Sequence, residues 1–463
     1  MLHQNIHKPQ KHLDGFYRRK ILSWFSRHAK LVRNLLLWLG IPLCLIIIAG
    51  FVPFSNAMLR EKAVRMLEQS SGASCSMQRF SLTPWLGFSM DGLALTKKDR
   101  QAMWQASIPH VRMSYRILPL LFRCVVIKDF ALENPQIRLV LPTFPRQNQA
   151  QEKVFDIQDL KQRLAGLPFT VTMKNISTEE GTVSVEQKGQ GILSGSGISV
   201  RMRIGYAKTL TLAGKASAKR LTLSGLWDLE NVHTSLRVSD LDVVLEHCRG
   251  DFYGGKCIAS GEADLGENVL EGFRAELSHV NLTKLYQASR IRQGQCDGRL
   301  DAKVEFGRSM LAPDSLKGRG RVALSKVSVH DLPLQSSLIV FVAIPQIRNI
   351  TFSKISTSLE IRNGKVFTPD IQGDGDPIDI RADGWVAFDG YFSHKLEGIF
   401  SRELVSSFHR VIANSLDDAP DGRKSFKCTV YGKFNNPRID IDRKIQERAV
   451  SNVIDEVGKF FRK

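Results

Sequence analysis

Residues 198–206, ISVRMRIGY, alternate apolar and polar side chains, with Ile198, Val200, Met202, Ile204 and Tyr206 separated by Ser199, Arg201, Arg203 and Gly205. Successive side chains of a strand point to opposite faces, so this stretch predicts a strand with one apolar and one wet side. The same period returns in Val183/Val185, Leu221/Leu223, Leu236/Val238, Val322/Leu324, Ile378/Ile380/Ala382 and Ile439/Ile441. Gly, Asn and Asp punctuate these pieces at intervals of roughly ten residues. Such spacings leave no room for helical crossovers, so the expected fold is mainly β with a few helices, built on an elongated antiparallel sheet.

Upstream lies a segment of another kind. Leu35 to Phe54, LLLWLGIPLCLIIIAGFVPF, carries no charge over twenty residues, and as a helix would extend about 30 Å, the thickness of a bilayer's hydrocarbon core. Eight Lys and Arg precede it, against Asp14 alone. Basic residues stay cytoplasmic, so a single transmembrane helix is expected, with the N-terminus inside and the bulk of the chain outside. A cleaved signal peptide is the competing possibility, and Ser55-Asn56-Ala57 resembles a cleavage site. The length of both the apolar core and the leading segment speaks against it.

The chain accordingly divides into a basic arm (1–34), the membrane span (35–54), a helix-led β module (55–142), a central β region (143–270), a further β region (271–443) and an amphipathic helix (444–463). Residues 55–71 predict a helix capped by Ser55 and stopped by Gly72, with Met58, Leu59, Ala63, Met66 and Leu67 on its apolar stripe. A short helix is expected over 155–164. The apolar run 335–347, QSSLIVFVAIPQI, is too short to span a bilayer and suits a buried helix or an interfacial segment. In the C-terminal segment Ile445, Ala449, Val453, Val457 and Phe460 recur at helical spacing. The stretches 175–185 and 358–367 echo one another as strand, turn at Gly181 or Gly364, and strand.

Chemistry leaves few marks. No G-x-S-x-G, H-E-x-x-H or phosphate-loop motif occurs, and the histidines stand apart, so no catalytic, cofactor or metal residues are assigned and an enzyme is not expected. Asp374, Asp376 and Asp379 lack the closing Glu of an EF-hand loop and suit a β-turn. Seven cysteines form no dense framework; Cys248 and Cys257 flank a candidate turn, 249–256, and are the one pair placed for a disulfide. The net charge of +19 attracts polyanions, and beside a membrane those are anionic headgroups. Nucleic acid is disfavoured, because the basic residues are interleaved with strands and no nucleic-acid module is present.

The order of the pieces carries a resemblance. GASCSMQRFSLTPWLGFSMDGLAL (72–95) is followed by ILPLLFRCVVIKDFALENPQIRLVL (117–141), an order of strand, P-x-L-G turn, strand and final P-x-I-x-L strand that resembles the N-terminal portion of AsmA-family proteins. The blocks 278–307, 316–334, 355–390 and the closing FKCTVYGKFNNPRIDID (426–442) resemble that family's C-terminal half, while 186–270 match poorly. The resemblance implies a curled, groove-like sheet akin to bridge-like lipid-transfer proteins, anchored in a bacterial inner membrane and facing the periplasm. It implies passage of phospholipid between inner and outer membranes, in support of outer-membrane biogenesis and integrity. Ile198, Val200, Met202, Ile204, Leu221, Leu223, Val322 and Leu324 would line the groove, with no covalent chemistry and no cofactor. Outer-membrane or periplasmic proteins are the further partners to expect. Two alternatives stand beside it: a structural or regulatory scaffold for outer-membrane protein assembly, and a membrane-anchored envelope enzyme.

Overall fold

The computed structural model describes residues 48–98, 103–116, 124–141, 170–187, 190–206, 210–223, 227–239, 242–264, 269–289, 294–310, 313–332, 348–408, 410–433 and 436–441, with isolated positions between them. A helix, α1 (Ala57–Ser71), leads into β1 (Ser74–Ser76), β2 (Arg79–Thr83), β3 (Gly87–Lys98), β4 (Met103–Arg116), β5 (Cys124–Glu133), β6 (Gln136–Leu141) and β7 (Thr170–Gln187). The central strands are β8 (Gln190–Tyr206), β9 (Leu210–Leu223), β10 (Trp227–Ser239), β11 (Asp242–Phe252), β12 (Gly255–Asp264) and β13 (Val269–Asn281). After helix α2 (Leu282–Ala288) come β14 (Gln295–Phe306), β15 (Ser309–Met310), β16 (Gly318–His330), β17 (Asn349–Arg362), β18 (Lys365–Asp376), β19 (Ile378–Ala387) and β20 (Tyr391–Phe400). Helices α3 (Arg402–Ser406) and α4 (Arg410–Ser415), then β21 (Asp417–Asp418), β22 (Lys424–Lys433) and β23 (Asn436–Ile441), complete the described chain.

All these strands belong to one curled sheet. The division expected at 270/271 falls inside β13 and breaks nothing. From β7 to β14 each strand pairs with the next, antiparallel, and the ladder continues through β16, β17, β18, β19, β20, β22 and β23. The all-antiparallel expectation is corrected at one place. β7 runs parallel to both β5 and β6, so the sheet is mixed. The chain between Leu141 and Thr170 is long enough to carry a parallel return.

The curl has a local cause. Asn134, Glu180, Asn231, His279 and Lys326 adopt left-handed backbone angles, φ 49–55°, and all five side chains are exposed, whereas the next residue in each case (Pro135, Gly181, Val232, Val280, Val327) is buried. Register shifts accompany them in β7/β8, β10/β11 and β13/β14. A bulge of this kind bends its strand and strengthens its twist. Aligned across the ladder, the bulges crease the sheet from the β5–β6 link to β16, with buried residues on the inner side of the bend and charged or polar ones outside.

The crease also corrects the internal echo. Residues 175–185 are one continuous strand bent at Glu180–Gly181, whereas 358–367 form a true hairpin turning at Asn363–Gly364. Pro135 suits its place, because β5 and β6 are joined to β7 by the Asn134 N–H donating to the Glu179 carbonyl (2.8 Å) and the Thr182 N–H donating to the Pro135 carbonyl (2.7 Å). Neither bond asks proline for an N–H.

Two compact cores close the ends. At the first, Ala63, Val64 and Leu67 of α1 pack on Met77, Met90, Leu93, Ile108 and Val111. The helix is capped by Asn56, whose side chain accepts from the Met58 N–H, not by Ser55, and ends at Gly72 in the left-handed region. Its half-buried stripe is rotated from the expected one, leaving Met58 and Met66 exposed. At the second, Phe400 stacks on Phe426 at 5.3 Å and meets Phe408 edge-on, with Ile378, Leu404, Leu416 and Val430 around them.

No helix among the described residues is long and apolar enough to cross a membrane; half of the expected span at 35–54 lies outside them. Of its end, Ile48, Phe51, Val52 and Phe54 are described and exposed, each by more than half. The helices expected at 155–164 and 444–463 and the apolar run 335–347 lie outside the described residues, apart from Gln335 and Glu447.

Candidate functional site: an apolar trough

Residues directly opposite on antiparallel strands share a face, so register alone traces the trough. Val200 faces Ala216, and the line continues through Thr234, Cys248, Ala259, Ala275, Val304 and Gly320 to Leu359 without a charge. Leu324 begins a second line, through Ile355, Gly373, Ile380 and Gly398 to Phe426. Charge collects on the reverse face, where Arg274, Glu305, Arg319 and Glu360 stand opposite one another and Arg237 pairs with Glu246 at 2.7 Å.

Parity would send Leu221 and Leu223 to the charged face, since Ala216 and Ala218 of the same strand are apolar-facing. The crease intervenes. A Cβ on Gly195 would meet both Leu221 (2.8 Å) and Ile198 (2.9 Å), and one on Gly250 would meet both Val232 and Leu229. Side chains on either side of the bend thus converge. All eight expected groove residues, Ile198, Val200, Met202, Ile204, Leu221, Leu223, Val322 and Leu324, stand on this one face.

None of the eight is buried. Seven are half-buried and Leu223, at the rim opposite Trp227, is 43 % exposed. A Leu or Val left partly in water forgoes part of the roughly 1.5–3 kcal/mol that full burial gives. Among the described side chains of β8–β13 the buried apolar ones are Ala218, Val232, Phe252 and Val280, all beside the crease or the adjoining turn. Along β8–β13 the apolar face is therefore buried at the crease and only partly covered away from it, while Leu324 packs against the second core.

Four thiols report the medium. Cys248, Cys257, Cys296 and Cys428 stand on the apolar face, and burial pushes each above the ordinary thiol range, Cys428 to about 11. They stay protonated and poor nucleophiles near neutral pH. The disulfide expected between Cys248 and Cys257 is not formed; both are free. Cys248 lies opposite Ala259 and Cys257 opposite Gly250, a diagonal relation whose Cα separation of roughly 7–8 Å exceeds what a disulfide spans.

Asp374, Asp376 and Asp379 sit at the tight β18–β19 connection. The Asp379 carboxylate accepts from the Gly375 N–H and pairs with Arg423 at 2.6 Å. No group of three or more metal-ligating side chains occurs among the described residues.

Sequence reasoning found the central wall and overlooked the crease. Its signal was present: the apolar positions of β9 and β16 change parity within the strand, from 216/218 to 221/223 and from 322/324 to 327/329. No family model, curated protein or solved structure matches the chain.

Proposed function

We propose that this protein holds phospholipid acyl chains against its apolar trough and passes phospholipid between an inner and an outer membrane, anchored through residues 35–54 with the sheet on the periplasmic side. It would be an AsmA-like protein without catalytic chemistry. The observation that carries the reading is the uncharged face running from β8 to β17, on which side chains away from the crease, Val200, Met202, Ile204 and Leu236 among them, are only partly buried. Contiguous apolar surface on this scale is uncommon on a free-standing sheet, and each acyl CH₂ laid on it gains about 0.8 kcal/mol. The sheet gives length as well: at about 4.8 Å per strand its ladder extends on the order of 80 Å, less where it coils.

Native mass spectrometry of the full chain, released from detergent, tests this. Bound phospholipid is expected, together with transfer of fluorescent phospholipid between donor and acceptor liposomes. A Val200→Asp, Ile204→Asp variant should keep its fold and lose both. Equal lipid content in the variant, or none in the wild type, defeats the reading.

A further inference from the structure

The reverse face of the same sheet holds a feature that the trough does not use. Across β7 to β11 the twist hollows this face into a concavity of about 770 Å³. One line of cross-strand neighbours in it runs Ser177, Arg201, Lys215, Ser235, His247. Beside it runs another, Ser199, Ser217, His233, Arg249. Hydroxyls thus alternate with bases over the floor.

Arg201 and Lys215 stand directly opposite each other, an arrangement that destabilises a sheet. Elsewhere on this face cations meet acids: Arg220 pairs with Glu230, Arg237 with Glu246 and Arg138 with Glu186. In the concavity Arg201, Lys215 and Arg249 enter no ion pair among the described residues. Of the two acids at its margin, Glu180 is tied to Lys219 at 2.8 Å, and Glu179 stands on the same strand.

We propose that this concavity binds a phosphorylated polyol, with Arg201, Lys215 and Arg249 on the phosphates and the serine hydroxyls and imidazoles on the polyol. Arginine's fork matches phosphate in two parallel bonds, and a bound dianion turns the Arg201–Lys215 repulsion into attraction. The site faces away from the acyl-chain trough, so it does not depend on that assignment.

Titration calorimetry of the full chain in detergent, with inositol hexakisphosphate as probe and myo-inositol as uncharged control, tests the proposal. The wild type should bind the probe and not the control. The double variant Arg201→Ser, Lys215→Ser should weaken binding by at least about tenfold, while its melting temperature stays level or rises as the like-charge pair is removed. Arg319→Ser, an exposed cation on the same face, should change affinity by less than about twofold. Competition by dihexanoyl phosphatidylglycerol would assign the phosphate to a lipid headgroup; without competition the ligand is a soluble or glycan-borne phosphate, and either result keeps the site. Absence of binding by the wild type overturns the proposal, as does an equal loss in Arg319→Ser, which would mean diffuse attraction to a basic surface.

Discussion

The β8–β13 wall and the β19–β22 end use the same alternation and reach opposite outcomes. In β20 and β22, Phe400, Phe426, Cys428 and Val430 are buried, because helix α3 and the turn after it deliver Leu404 and Phe408 onto them. In β8 and β9 the equivalent apolar positions have no helix above them among the described residues and remain half exposed. An apolar face is a core only when a second layer arrives. Where none does, the face is a binding surface awaiting an occupant.

Truncation measures that contrast most directly. Phe400→Ala should cost about 3–5 kcal/mol in urea unfolding, through lost burial and the cavity left behind. Leu236→Ala, on the open wall, should cost about 1 kcal/mol or less. A Leu236→Ala loss as large as that of Phe400→Ala would show the trough to be packed and would erase the distinction.

The crease comes next in size. Lys326 holds φ 52°, so Lys326→Val should cost about 1–2 kcal/mol while Lys326→Gly is tolerated. Equal effects of the two would mean that the bend is not set at that residue.

The smallest effect is one of pH, and it belongs to the closed end. Burial holds the His394 imidazole below its ordinary value, against a weaker opposing pull from Asp383, and the ring exchanges a hydrogen bond with Thr368 at 2.8 Å. The unfolded chain therefore binds this proton more readily than the folded one. Stability from His394 is complete above about 6.5 and declines as pH falls below it toward the folded-state value. The urea midpoint should drop between pH 7.5 and 5, and His394→Gln should flatten that slope. An unchanged slope would place the acid sensitivity elsewhere.

The strands were legible because their period is local: 198–206 needs no partner to declare two faces. What stayed hidden depended on neighbours. Parity slips within β9 and β16 looked like gaps between short strands, since nothing in a single strand distinguishes a bulge from an ending. The parallel seat of β7 against β5 and β6 follows from non-local pairing, which no window of sequence displays. The diagonal offset of Cys248 and Cys257 is set by the two-residue turn at Tyr253–Gly254, which puts Phe252 opposite Gly255, a one-residue matter. The candidate site was visible as residue types; its continuity across the bend emerged only from the register.

Because the bend recurs at matching heights along the ladder, in β7, β10, β13 and β16, the molecule behaves like guttering sold by the metre. Adding or removing one hairpin alters reach by roughly 10 Å and leaves the cross-section as it was. Span and bore are thereby separate variables, and a lineage can stretch the first without retooling the second.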